Sequence, residues 1–80
     1  MILNMPAFDA YLDLTGLKCP MNFVRAKLLI ETMEVTQVLK LKLIDEESIE
    51  SVCNSMQQEG HELIKVEKFQ EYSEVYIAKN

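Results

Sequence analysis

The sequence predicts a two-layer α/β sandwich, and three observations point to it. Apolar residues alternate at a period of two in four segments and recur at helical spacing in two, in the order β-α-β-α-β-β. Helices follow the first two strands, so right-handed crossovers would pack two helices on one face of a mixed four-stranded sheet. Finally, 80 residues with two glycines, two prolines and no repeat leave room for one domain and little linker. Residues 1–80 are therefore read as a single domain, with 1–9 as an N-terminal extension.

Ala10 to Thr15, AYLDLT, alternates with Leu12 and Leu14 facing inward, and Thr15-Gly16 is a turn signal. Pro20 suits the first position of a helix, where its missing N–H goes unused and its φ is already helical. That helix should end near Thr32 to Val35. Phe23, Ala26, Ile30 and Met33 form one apolar stripe on it. Val24 and Leu28 form a second, which predicts contact with another helix as well as the sheet.

In VTQVLKLKLI, Leu39, Leu41 and Leu43 alternate with Lys40 and Lys42, as in a half-exposed strand. Asp45 is placed to cap a second helix, with Glu46 and Glu47 favourable to its positive N-terminal dipole. Ile49, Val52, Cys53 and Met56 fall on one buried face of that helix, and Gly60 stops it. ELIKVEKF and EVYIAK read as two further strands joined through QEYS as a hairpin. A half-exposed sheet of this kind suits a monomer or a weak dimer.

Composition narrows the function classes. Two cysteines are too few for a disulfide scaffold, and with one histidine they do not make a four-ligand zinc site. MILNMPAF has no basic start and no long apolar run, so no membrane span or signal is read there and a reducing cytoplasm is the expected compartment. A net charge of −5 argues against direct nucleic-acid binding. Yet no acidic residue stands between Asp13 and Glu31, where Lys18, Arg25 and Lys27 fall. This basic run is either a docking patch or a chance cluster on a solvated helix face.

Cys19 lies inside it, between Lys18 and Pro20. With Pro20 first in the helix, Cys19 becomes the cap, in the extended conformation that a following proline imposes. A sulfur there faces unsatisfied N–H groups and the positive helix end, both of which favour a thiolate or the terminal sulfur of a persulfide. The alternative is a buried, inert thiol. Cys53 reads as core, and His61, after the Gly60 stop, as an exposed residue entering a strand. A redox pair of Cys19 with Cys53 would need the core residue to reach the first helix.

LDLTGLKCP, the helix behind it and the element order resemble the TusA-type (SirA-like) sulfur-carrier family from Ala10 to Lys79. The family's Leu-Asp-x-x-Gly-x-x-Cys-Pro-x-Pro marker matches at Leu12, Asp13, Gly16, Cys19 and Pro20. Lys27, eight positions after the cysteine, and the Gly60-His61-Glu62-Leu63 run are also similar. Asn22 departs from the pattern, standing where the second proline is usual, and DEESI lacks another proline often found after the second strand. The resemblance implies that Cys19 accepts sulfane sulfur from a cysteine desulfurase or other donor, holds it as a persulfide and passes it to an acceptor protein. Known outlets are tRNA thiolation, molybdenum-cofactor metabolism and sulfur oxidation. No cofactor and no metal are expected. Gly16, Lys18, Pro20, Met21 and Asn22 would shape the helix start around Cys19, and Lys18, Arg25 and Lys27 would dock partners. The competing reading is a non-catalytic regulatory module that docks through the same basic surface.

Overall fold

The computed structural model describes residues 8–80, so the first seven residues of the expected extension lie outside the described residues. Its elements are β1 (Ala10–Asp13), α1 (Met21–Glu31), β2 (Val38–Leu43), α2 (Glu46–Gln58), β3 (Glu62–Lys68) and β4 (Ser73–Ala78). The strands form one sheet in the order β1-β2-β4-β3. β1 runs parallel to β2, and β4 lies antiparallel between β2 and β3, so the sheet is mixed as expected. Asp9 extends the pairing ahead of β1, its N–H reaching Val38 O and its Oδ2 accepting the Val38 N–H, both at 2.8 Å.

Strand alternation decides what the sheet buries. Leu39, Leu41 and Leu43 from β2 and Val75 and Ile77 from β4 pack against Ala26 and Ile30 of α1 and Val52, Cys53 and Met56 of α2. Both helices therefore cover the same face. The other face carries Tyr11, Lys40, Tyr76 and Lys65 in one cross-strand row. It is less open than the alternating lysines imply. Tyr76 is completely buried there, and Lys40 is held by Glu74 at 3.3 Å with its ammonium 4.8 Å from the Phe8 ring centre. Burial opposes the Lys40 charge, but the Glu74 carboxylate and the Tyr76 hydroxyl together outweigh it and raise the ammonium's pKa above its ordinary value.

The two helices end as their residues dictate, with one shift. Asp45 Oδ1 caps α2 by accepting the Ser48 N–H at 2.8 Å. At its other end the Gly60 N–H reaches Gln57 O and the His61 N–H reaches Met56 O. That pair of bonds, with Gly60 at φ 96°, is a left-handed stop that favours glycine. α1 begins at Met21, with Pro20 as its cap residue and Cys19 one position outside, so the sequence places the helix start one residue early. Lys18 O and Pro20 O already accept the Asn22 and Val24 N–H groups, which draws the turn before the helix into its hydrogen-bond pattern. The second stripe is also corrected. Val24 and Leu28 face solvent, at 37% and 58% exposure, because α2 meets the other flank of α1.

Candidate functional site

Cys19 is carried on a loop that β1 fixes at one end and α1 at the other. Asp13 Oδ1 accepts both the Thr15 N–H, at 2.9 Å, and the Thr15 hydroxyl, at 2.7 Å. The Thr15 hydroxyl is the main reason the Asp13 carboxyl sits below its ordinary pKa. This local turn, closed by the Leu17 N–H on Leu14 O, anchors Leu14 in the core and sends the chain outward through Lys18 and Cys19. Gly16 lies exposed in the same turn. A side chain there would meet no atom within 4 Å.

Cys19 is exposed. Sγ lies 3.7 Å from Ser51 Oγ on α2. The cleft between loop and helix, about 570 Å³, is lined by Lys18, Cys19, Asp45, Glu47, Ser48 and Ser51. The first-turn donors of α1 are largely taken. The Asn22 N–H goes to Lys18 O, the Val24 N–H to Pro20 O, and the Phe23 N–H to Asn22 Oδ1 at 2.6 Å. Asn22 is itself completely buried, its Nδ2 without a hydrogen-bond partner. Sequence reasoning linked Asn22 to the helix start, where its side chain makes a local bond by taking up the Phe23 donor. The sequence did not point to Ser51, because the alternation and spacing of one segment carry no information about a contact across 32 positions.

The three basic residues do not act as a single cluster. Lys18 stands at the cleft rim, where its charge helps hold Asp45 ionised; the larger causes are hydrogen bonds from the Ser48 hydroxyl and N–H. Lys27 crosses to Glu59 at 3.5 Å, near the far end of α2. Arg25 is exposed beside Met21, Val24 and Leu28, an apolar strip whose members are 50%, 37% and 58% exposed. Met21 thus belongs to the outer face of α1, whereas Asn22 belongs to its inner face. The i, i+3, i+7 spacing of the strip was the signal available in the sequence.

Cys53 is 7% exposed, in the core as expected, and burial pushes its thiol pKa up. Both cysteines are free thiols. His61 is half-buried rather than exposed, its Nδ1 accepting the Asn80 N–H at 3.1 Å. It lines a larger hollow of about 760 Å³ at the opposite end of the sheet from Cys19. No Cys19–His61 dyad is formed. Among the described residues no helix is long and apolar enough to cross a membrane.

Comparison with known proteins places this geometry. The family model described as Sulfurtransferase TusA matches residues 10–79. The chain is 39% identical over 57 residues to a provisionally described sulfur carrier protein of Archaeoglobus fulgidus, a match covering 71% of this chain and 65% of that one. It thus spans just under two thirds of that relative. It is 36% identical over 61 residues to the sulfur carrier protein TusA of Allochromatium vinosum, covering 76% and 80% of the two chains. A SirA-like protein from Desulfitobacterium hafniense shares the fold at a TM-score of 0.77 and 22% identity, over 88% of this chain and 96% of that one. A Helicobacter pylori protein solved in solution does so at 0.68 and 23%, over the same shares.

Proposed function

We propose a sulfur-relay function from one premise: the chain belongs to the TusA sulfurtransferase family. Cys19 accepts a sulfane sulfur as a persulfide and passes it to an acceptor protein. The observation that carries this reading is the contrast in access, Cys19 being exposed at the family's Cys-Pro position while the other cysteine is buried. In loading, the Cys19 thiolate attacks the outer sulfur of a donor persulfide. A new S–S bond forms on Sγ, the donor's S–S bond breaks, and the donor cysteine leaves as a thiolate, with no net oxidation. The donor is a cysteine desulfurase or another persulfide-bearing protein. The outlet is tRNA thiolation, molybdenum-cofactor metabolism or sulfur oxidation. The protein would work in a reducing cytoplasm, as a monomer or weak dimer, without itself touching nucleic acid.

Docking falls to Lys18, Arg25 and Lys27, with Arg25 contributing most because it is exposed, has no acidic partner among the described residues and stands beside the Met21-Val24-Leu28 strip. That strip also suits the second reading, a binding module that keeps the surface and ignores the thiol. One experiment separates them. After incubation with cysteine and a cysteine desulfurase, intact-mass analysis should find one added sulfur on Cys19 and none in Cys19→Ser. Sulfur on Cys53, or on neither residue, would falsify the relay. Partner binding that ignores Cys19→Ser but is lost on reversal of the Arg25 charge, with no sulfur taken up, would establish the binding module.

A further inference from the structure

We propose that Ser51, on α2, is a positioning residue for the sulfur that Cys19 carries. This rests on the relay reading above and adds to it a second helix. Several donors near Sγ are already engaged elsewhere. Three first-turn N–H groups of α1 are already bonded to Lys18 O, Asn22 Oδ1 and Pro20 O. The Ser48 N–H is bonded to Asp45 Oδ1 at 2.8 Å, and Lys18 shares the cleft with that carboxylate. The Asp45 and Glu47 carboxylates, the other groups lining the cleft, are acceptors only.

Ser51 remains. A helical serine commonly bonds the carbonyl one turn back, but the partner of this hydroxyl is Cys19 Sγ, at 3.7 Å. A thiolate or perthiolate has no proton to offer, so in the reacting states the hydroxyl is the donor. The terminal sulfur of a persulfide adds about 2 Å beyond Sγ. The cleft of about 570 Å³ has room for it beside Ser51. Acidic Asp45 and Glu47 line the same cleft, so an anionic sulfur needs a donor there to be held in place.

The test loads the full chain with inorganic polysulfide, which requires no partner protein, and follows the added sulfur on Cys19 by mass after quenching. Ser51→Ala should load about fivefold more slowly than wild type, the size expected for one ordinary hydrogen bond, since sulfur is a weak acceptor. Ser51→Thr restores the hydroxyl and should recover most of the rate. Alanine is at least as good a helix former as serine and threonine only slightly worse, so Ser51→Ala should keep the wild-type Tm and Ser51→Thr should stay close to it. Wild-type loading by Ser51→Ala overturns the proposal. So does slow loading by both variants together with a lowered Tm, which marks a merely structural role. If wild type takes no sulfur from polysulfide or from a desulfurase, the relay reading itself falls. Loading of wild type with no effect at Ser51 removes only the present inference.

Discussion

The two cysteines carry the same atom in opposite settings. Cys19 lies on a loop before α1, exposed, with one hydroxyl in contact and an open cleft beside it. Cys53 lies inside α2, within the cluster that joins both helices to β2 and β4. Only two positions separate Cys53 from Ser51, yet one side chain points into the core and the other at the Cys19 sulfur. At about 100° of helix rotation per residue, two positions suffice to turn from one flank to the other. α2 therefore serves both as a core helix and as a wall of the candidate site. Reactivity is set by where a thiol is placed, since the residue type is common to both.

The largest effect to expect is selectivity between them. With excess iodoacetamide at neutral pH, Cys19 should be modified to completion while Cys53 stays unmodified in the folded protein, read by peptide mass mapping. Cys53 modified at a rate near that of Cys19 would break the comparison at its base. Denaturant should abolish the difference.

Next in size is the structural cost of altering the buried thiol. Cys53→Ser places a hydroxyl in an apolar site and should destabilise the protein by roughly 1–3 kcal/mol in urea unfolding. Sulfur loading on Cys19 should survive. The pH dependence has a definite sign. Because burial raises the folded-state pKa, the unfolded chain loses the Cys53 proton first, from around the ordinary value of 9.0. Stability from this thiol is thus intact below that pH and declines as pH rises above it. Cys53→Ala should flatten that alkaline decline. An unchanged slope would mean that Cys53 is not protected in solution.

A smaller effect is expected outside the cleft. Arg25→Glu should weaken desulfurase binding about fivefold at low salt, and less as ionic strength rises, because an exposed charge acts through a screened field. Lys27→Glu should show less, since Lys27 is already paired with Glu59. Equal losses from the two reversals would show that the basic face acts as one patch.

How much of this the sequence disclosed follows from what kind of contact was involved. Alternation in VLKLKL, the Asp45 cap, the Ile49-Val52-Cys53-Met56 stripe and the Gly60 stop are local patterns, and each is found where its spacing puts it. The failures concern orientation between elements. Val24 and Leu28 are spaced for a contact that α2 makes on another flank of α1. Tyr76 reads as one face of an alternating strand, and its complete burial depends on what β2 and β3 place around it. Cys19 was legible from its place before Pro20, but the direction of its sulfur was not, because Ser51 comes from a distant turn.

The smallest effect tests why the sulfur turns to α2 at all. Asn22, at the position of the family's usual second proline, binds the Phe23 N–H with Oδ1 and leaves Nδ2 buried without a partner. Asn22→Ala removes both the competing acceptor and the unsatisfied donor. The Asn22 backbone bond to Lys18 O is unaffected by the change. Loss of the Oδ1 bond and relief of the orphaned amide act in opposite directions, so stability should move by less than about 1 kcal/mol. The freed Phe23 N–H points back along the helix toward the Cys19 loop, as first-turn donors do, and becomes a second candidate for an anionic sulfur. In that background the fivefold penalty of Ser51→Ala should shrink to about twofold or less. An undiminished penalty in the double variant would show that Ser51 acts on Cys19 independently of the donors at the α1 terminus.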